Sequence, residues 1–118
     1  MHSFIEDEGN VARIKAAATI MIDALQNGHK IISGGNGGSM CDASHFSEEL
    51  LARFRQNRIA LPAVAISDPS YITCVGNDYG FDQTFSRYVE ACGPAGDVLL
   101  GISTSGNTLC AMMVGWIP

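Results

Sequence analysis

Positive charge is scarce in this sequence, and cysteine pairs at short spacing are missing. The 118 residues include 7 Lys and Arg against 12 Asp and Glu, which gives a formal net charge of −5. Electrostatic binding of nucleic acid needs a broad basic patch, so this class of partner is not expected. The four cysteines form no C-x-x-C pair, which argues against a zinc knuckle and against a disulfide framework. Reduced thiols and a cytoplasmic location are therefore expected.

Long apolar runs are also missing. No stretch approaches the roughly 20 apolar residues that a membrane-spanning helix needs. The run AAATIMI lies between Lys15 and Asp23 and is not typical of a signal peptide. The C-terminal segment also lacks charge, since Asp97 is the last charged residue and residues 98–118 include none. A surface helix in that tail would lack a polar side.

The sequence does contain apolar strands that alternate with amphipathic helices. This alternation predicts one α/β domain, with a doubly wound parallel sheet and helices on both faces. The third strand is expected to leave an exposed edge and an uncovered apolar face. The predicted helices are 10–27, 39–55 and 82–92, with a further one from about Thr108, and the predicted strands are 30–33, 62–67 and 97–103.

A glycine-rich loop, GGNGGS (34–39), follows the first strand. It is not a dinucleotide fingerprint, since Met40 occupies the last glycine position, and it is not a P-loop, since no lysine follows Lys30. The loop leads into a helix for which Ser39 is a candidate N-cap. Free N–H groups at such a turn suit an anion or sugar hydroxyls. A tight turn without a ligand is the alternative.

A second small-residue loop, STSGN (103–107), follows the third strand. Three hydroxyls from Ser103, Thr104 and Ser105 could hold a phosphate without a cation, or they could simply cap a helix. Ligands of parallel sheets bind beyond the carboxyl ends of the strands. Both loops are therefore expected at the same edge of the sheet.

A polar stripe follows the glycine loop on the predicted helix. Asp42, His45, Glu49 and Arg53 are spaced three, four and four residues apart, which places them on one side of a helix. Such a stripe is often just the solvated side. If the stripe is functional, His45 and Glu49 could bind one metal ion, but two ligands are fewer than a complete metal site needs. Alternatively, Glu49 would be a general base beside a polarising histidine.

Six segments of the sequence carry a resemblance to a known family: GNGGS, HFSEEL, PAVAISD, VGNDYGF, FSRYVEA and GDVLLGISTSGN. Taken together, they resemble the sugar isomerase (SIS) domain family, and within it the phosphoheptose isomerases. The resemblance extends from about residue 11 to 107. It implies a flavodoxin-like strand order and a single, C-terminally truncated SIS domain over 1–118, in which 108–118 is a divergent tail.

The resemblance also implies a function. Family members are cytoplasmic homotetramers that convert sedoheptulose 7-phosphate to D-glycero-D-manno-heptose 7-phosphate through an enediol, for lipopolysaccharide and other surface heptose. Several bind zinc, and a glutamine and a histidine beyond the matched segments complete their zinc site. A non-catalytic SIS module, which binds sugar phosphates or a replication-initiator partner, is the alternative. The paired acids of HFSEEL favour the isomerase.

By the same resemblance, Glu49 would be the catalytic acid/base, and His45 and Glu49 would bind zinc. Glu49 would also contact the substrate. The other substrate-binding residues implied are Asn36, Gly37, Gly38, Ser39, Asn77, Asp78, Ser103, Thr104, Ser105 and Thr108.

Overall fold

The computed structural model describes residue 4, residues 6–106 and residues 113–118. No helix in these ranges is long and apolar enough to span a membrane. The elements, in chain order, are α1 (Glu8–Gln26), β1 (Ile31–Gly35), α2 (Gly38–Leu51), β2 (Ala63–Ala65), α3 (Pro69–Asp78), a 3-10 turn (Phe81–Gln83), α4 (Thr84–Cys92), β3 (Val98–Ile102) and β4 (Met113–Trp116).

The four strands form one sheet in the order β2-β1-β3-β4. The central strand β1 pairs in parallel with β2, where Ile31 is opposite Ala63, and with β3, where Ile31 is opposite Val98. Helices occupy both crossovers, as parallel pairing requires. The predicted α/β class and the flavodoxin-like order of the first three strands are confirmed.

The fourth strand differs from the prediction. The tail strand β4 pairs antiparallel with β3, with Val98 opposite Trp116, so the expectation that β3 would expose its edge was wrong. Only residues 103–112 separate β3 from β4, and a parallel crossover needs a dozen or more residues. The returning chain therefore runs antiparallel. The start of the predicted helix at Thr108 lies outside the described residues.

Helices cover both faces of the sheet, as predicted. On one face, α1 and α2 pack on a core whose buried members are Ala24, Ile31, Ala63, Val98 and Leu100. An apolar groove of about 610 Å³ remains open there, consistent with the expected uncovered apolar face; its lining includes Ile14, Met21 and Phe46.

The opposite face of the sheet is covered by α4. The ring of Phe85 packs so closely on β1 that a Cβ at Gly34 would lie 2.8 Å from it. Glycine is therefore required at that position of the strand.

A buried carboxylate marks the amino edge of the sheet, where the strands begin. The Asp97 side chain is only 2% exposed. It accepts a hydrogen bond from the Lys30 backbone N–H at 3.1 Å and forms an ion pair with the Lys30 ammonium group. The Nδ1 atom of His29 lies 3.6 Å from the same carboxylate. These contacts join the starts of β1 and β3, at the edge of the sheet opposite the two loops.

One helix, α3, was missing from the prediction, which placed no element between the strand 62–67 and the helix 82–92. The Asp68 side chain caps α3, because it accepts a hydrogen bond from the Ser70 backbone N–H at 3.1 Å. Pro69 occupies the first position of the helix, where its missing N–H costs nothing. The Asp-Pro-Ser sequence is thus the local signal for α3.

Candidate active site

The two small-residue loops begin side by side. In the register of β1 and β3, Gly35 is opposite Ile102, so Asn36 and Ser103 leave neighbouring strands at the carboxyl edge. The expectation that both loops share one edge of the sheet is confirmed. This edge is where α/β proteins bind their ligands.

The glycine loop turns directly into α2. Its N-cap is Gly37, whose backbone has φ 56° and ψ −122°. Residues other than glycine rarely adopt this backbone conformation. The prediction of Ser39 as N-cap was wrong, since Ser39 lies buried within the first turn. Gly35 approaches this turn so closely that a Cβ would lie 2.7 Å from the Ser39 carbonyl group. No described side chain caps α2, so its N-terminus is open to an anion or hydroxyl.

Asn36 carries an unsatisfied polar atom at the centre of this loop. Its side-chain oxygen Oδ1 is buried and has no hydrogen-bond partner within the described part of the chain. A buried acceptor without a partner costs about 1–3 kcal/mol, and such exceptions call for an explanation. A hydroxyl group of a bound sugar would supply the missing donor, which supports the substrate role expected for Asn36.

The second loop closes on itself. The Ser103 hydroxyl oxygen accepts a hydrogen bond from the Gly106 backbone N–H at 3.2 Å, which fixes a tight turn directly after β3. Gly106 has φ 65°, so glycine suits this turn. Thr104 and Ser105 are exposed in it. Thr108 lies outside the described residues.

The polar stripe of α2 brings two of the predicted residues together. The Nε2 atom of His45 lies 3.1 Å from Oε1 of Glu49 in a hydrogen bond, and the side chains are 70% and 30% exposed. Asp42, His45, Phe46, Glu49 and Phe54 are the described residues around a shallow hollow of about 260 Å³. The helix ends at Leu51, so the prediction that Arg53 continues the helical stripe was wrong.

A third donor joins this pair. Oε2 of Glu48 lies 3.9 Å from Nε2 of His45, and the donor atoms of His45, Glu48 and Glu49 all lie within 4.8 Å of one another. One nitrogen and two carboxylate oxygens are ligands that zinc accepts, and catalytic zinc sites commonly have three protein ligands. The cluster is therefore compatible with a metal. Sequence reasoning did not name Glu48 as a candidate ligand, although its spacing of three residues from His45 was the signal.

Asn77 and Asp78 lie in the last turn of α3. The Asn77 side-chain amide donates to Oδ1 of Asp78 at 2.9 Å, and the Cys74 thiol donates to Oδ2 at 3.5 Å. This hydrogen bond, together with the carboxylate charge, raises the pKa of the exposed Cys74 thiol. The thiol consequently keeps its proton and acts as a donor to Asp78.

The candidate residues thus form separate groups. Glu49 follows Gly38 by eleven residues, which corresponds to roughly 16 Å along the helix at 1.5 Å per residue. Neither Asn36 nor any residue of the STSGN loop belongs to the described lining of the hollow beside Glu49. Within one copy of the chain, the two loops lie at the carboxyl edge of the sheet, and the His–Glu cluster lies farther along α2.

Comparisons with known proteins agree with this architecture. A family model described as SIS domain matches residues 2–114. A phosphoheptose isomerase from an Enterobacter species is 60% identical over 106 residues, which are 90% of this chain and 55% of that protein. The chain thus spans about half the length of the curated relatives it matches.

Two solved structures show the same relationship in three dimensions. A phosphoheptose isomerase from Francisella tularensis superposes with a TM-score of 0.76 at 42% identity, over 91% of this chain and 59% of that one. The phosphoheptose isomerase from Neisseria gonorrhoeae superposes with a TM-score of 0.71 at 50% identity, over 80% of this chain and 48% of that one. Because the family model covers nearly the whole sequence, the chain belongs to the SIS domain family.

Proposed function

We propose that the chain carries part of a phosphoheptose isomerase, which converts sedoheptulose 7-phosphate to D-glycero-D-manno-heptose 7-phosphate for surface heptose synthesis. The observation that carries this proposal is the hydrogen bond of 3.1 Å between His45 and Glu49 in a chain 60% identical to a protein named phosphoheptose isomerase. An exposed acid and imidazole in contact offer a base and a polarising group to one substrate.

The reaction moves a proton between two adjacent carbons through an enediol. Glu49 would take the proton from C1 of the ketose and return it to C2, while His45 would orient the Glu49 carboxylate. Negative charge develops on the carbonyl oxygen during the transfer and has to be stabilised. A zinc ion on His45 and Glu49, with Glu48 beside them, would polarise that carbonyl when bound.

The loops would bind the rest of the substrate. The unpaired Oδ1 of Asn36 suits a sugar hydroxyl, beside the backbone of Gly37 and Gly38. The hydroxyls of the second loop, from Ser103 to Ser105, suit the phosphate, because they stand beside the open N-terminus of α2. Asn77 and Asp78 are further candidates for sugar hydroxyls, and their mutual hydrogen bond would hold both groups ready.

We further propose that the protein forms a homo-oligomer, a tetramer as in the family, and that it is located in the cytoplasm. The His–Glu cluster and the two loops form separate groups in one copy. That separation favours a site completed near an interface between copies. Size-exclusion chromatography with light scattering would measure the assembly, and a monomer at all concentrations would contradict this part.

The direct test is turnover. The chain is incubated with sedoheptulose 7-phosphate, with and without Zn²⁺, and the product is followed by ³¹P NMR. We expect heptose 7-phosphate to form and expect Glu49→Gln to lower the rate by about 10²–10⁴-fold, the usual contribution of a general base. Arg13→Gln, which removes an exposed charge on α1, is the matched control and should retain the wild-type rate.

A non-catalytic module that binds sugar phosphates is the second candidate. It is favoured by the separation of the loops from the His–Glu cluster, because Asn36 offers a buried acceptor to a sugar away from Glu49. Titration calorimetry with sedoheptulose 7-phosphate separates the two. Binding without turnover would support the binding module, and the absence of both would refute the substrate assignment.

A further inference from the structure

The end of α2 lacks the positive charge that helix C-termini favour. Glu48 and Glu49 lie near the last residue, Leu51, and no basic residue occupies the last turn. Carboxylates at a helix C-terminus are unfavourable, because the helix dipole places partial negative charge on the terminal carbonyl groups. Those carbonyls also lack helical N–H partners. The turn that carries Glu49 therefore needs support from outside the helix.

Arg58 supplies this support. Its half-buried guanidinium group donates from Nη2 to the Glu49 carbonyl oxygen at 2.6 Å and from Nη1 to the Leu50 carbonyl oxygen at 2.9 Å. A further bond of 2.9 Å to the Ile59 carbonyl oxygen fixes the guanidinium group in its own loop. The Leu61 backbone N–H also donates to the Leu50 carbonyl, at 3.0 Å. One side chain thus caps the final turn.

We propose that Arg58 is a positioning residue that holds Glu49 against His45. The contact between these two side chains spans four residues and exists only while the intervening helical turn is intact. Arg58 bonds the backbone of Glu49 itself, so it fixes the residue whose carboxylate meets the imidazole. The flat guanidinium fork can serve two carbonyls at once, which the single ammonium group of lysine does less well. This inference rests on the proposed function for its chemical meaning.

The test uses NMR on the whole chain. In the wild type, we expect a nuclear Overhauser contact between the His45 ring protons and the Glu49 γ-protons, because Nε2 of His45 lies 3.1 Å from Oε1 of Glu49. We expect Arg58→Gln to abolish this contact while the signals of β1 and β3 keep their positions, and Arg58→Lys to weaken it. Arg13→Gln, the charge-matched control, should leave it at full intensity. Full intensity in Arg58→Gln would overturn the proposal.

Two further measurements keep the outcome decisive. If Arg58→Gln does not fold, Arg58→Lys decides, and an undiminished contact in that folded variant overturns the proposal. Calorimetry with Zn²⁺ alone gives the second readout, for which we expect about tenfold weaker binding in Arg58→Gln, as is usual when the support of a metal ligand is removed. If the wild type binds no Zn²⁺, the metal assignment fails, and the NMR contact still tests Arg58.

Discussion

Two histidine–carboxylate pairs in this chain share their chemistry and differ in their surroundings. At the amino edge of the sheet, His29 lies 3.6 Å from Asp97, whose side chain is 2% exposed. On the outer side of α2, His45 lies 3.1 Å from Glu49, and both side chains reach solvent. The pairs use the same residue classes, so their difference comes from burial and from the other partners of each carboxylate.

The partners indicate what each pair does. The Asp97 carboxylate is held by the backbone N–H and the ammonium group of Lys30, so removing it would leave these partly buried groups unpaired. The Glu49 carboxylate has contacts only with His45 among the hydrogen bonds described for its side chain, so it can exchange partners with a ligand. We infer that the first pair maintains the fold and the second is available for chemistry.

The largest effect on stability is expected for Asp97→Ala. The substitution leaves the Lys30 N–H and its charge without their buried partner, and breaking such a pair costs about 3 kcal/mol in free energy of unfolding. Urea denaturation followed by circular dichroism measures the loss. Asp97→Asn keeps one acceptor oxygen for the Lys30 N–H and should lose less. A loss below about 1 kcal/mol for Asp97→Ala would contradict the structural role.

An intermediate effect is expected for Gly35→Ala. The new Cβ would lie 2.7 Å from the Ser39 carbonyl group, so the start of α2 would have to shift, and forced overpacking costs about 1–3 kcal/mol. The matched control is Gly38→Ala, whose Cβ meets nothing within 4 Å and which should be neutral or slightly stabilising. Thermal unfolding of the two variants compares them. Equal melting temperatures would show that the loop does not need this close approach.

The smallest effect on stability is expected for Glu49→Gln. Exposed pairs four residues apart on a helix contribute about 0.3–0.5 kcal/mol, so the free energy of unfolding should change by no more than that. The same urea titration provides the number. A loss comparable to that of Asp97→Ala would remove the distinction between the two pairs and make Glu49 a structural residue.

Sequence reasoning predicted the regular part of this fold well. The apolar runs around Ile31 and Val98 are bounded by glycine loops, and both became parallel strands with the loops at one edge. It missed α3, because Ile72, Thr73, Val75 and Gly76 are poor helix formers and only the Asp-Pro-Ser sequence at its start marks the helix. It also missed β4, whose pairing with β3 depends on the short connection between them and not on local pattern.

The candidate site was also predicted only in its regular part, which is the helical contact between His45 and Glu49. The spacing of His45 and Glu49 predicted their contact, since positions four apart meet on a helix. The end of the helix at Leu51, which removes Arg53 from the stripe, depends on a loop that folds back through Arg58. Contacts of this kind between chain segments leave no periodic signal. The unpaired Oδ1 of Asn36 is likewise visible only in three dimensions.

Solvent exchange at the substrate carbon tests the central claim most directly, which is that Glu49 moves a proton. The chain is incubated with sedoheptulose 7-phosphate in D₂O with Zn²⁺, and deuterium at C1 is measured by mass spectrometry. The account predicts incorporation by the wild type and a rate lower by at least about 10²-fold in Glu49→Gln, with unchanged stability. Equal rates in both proteins, or neither exchange nor turnover in the wild type, would contradict it.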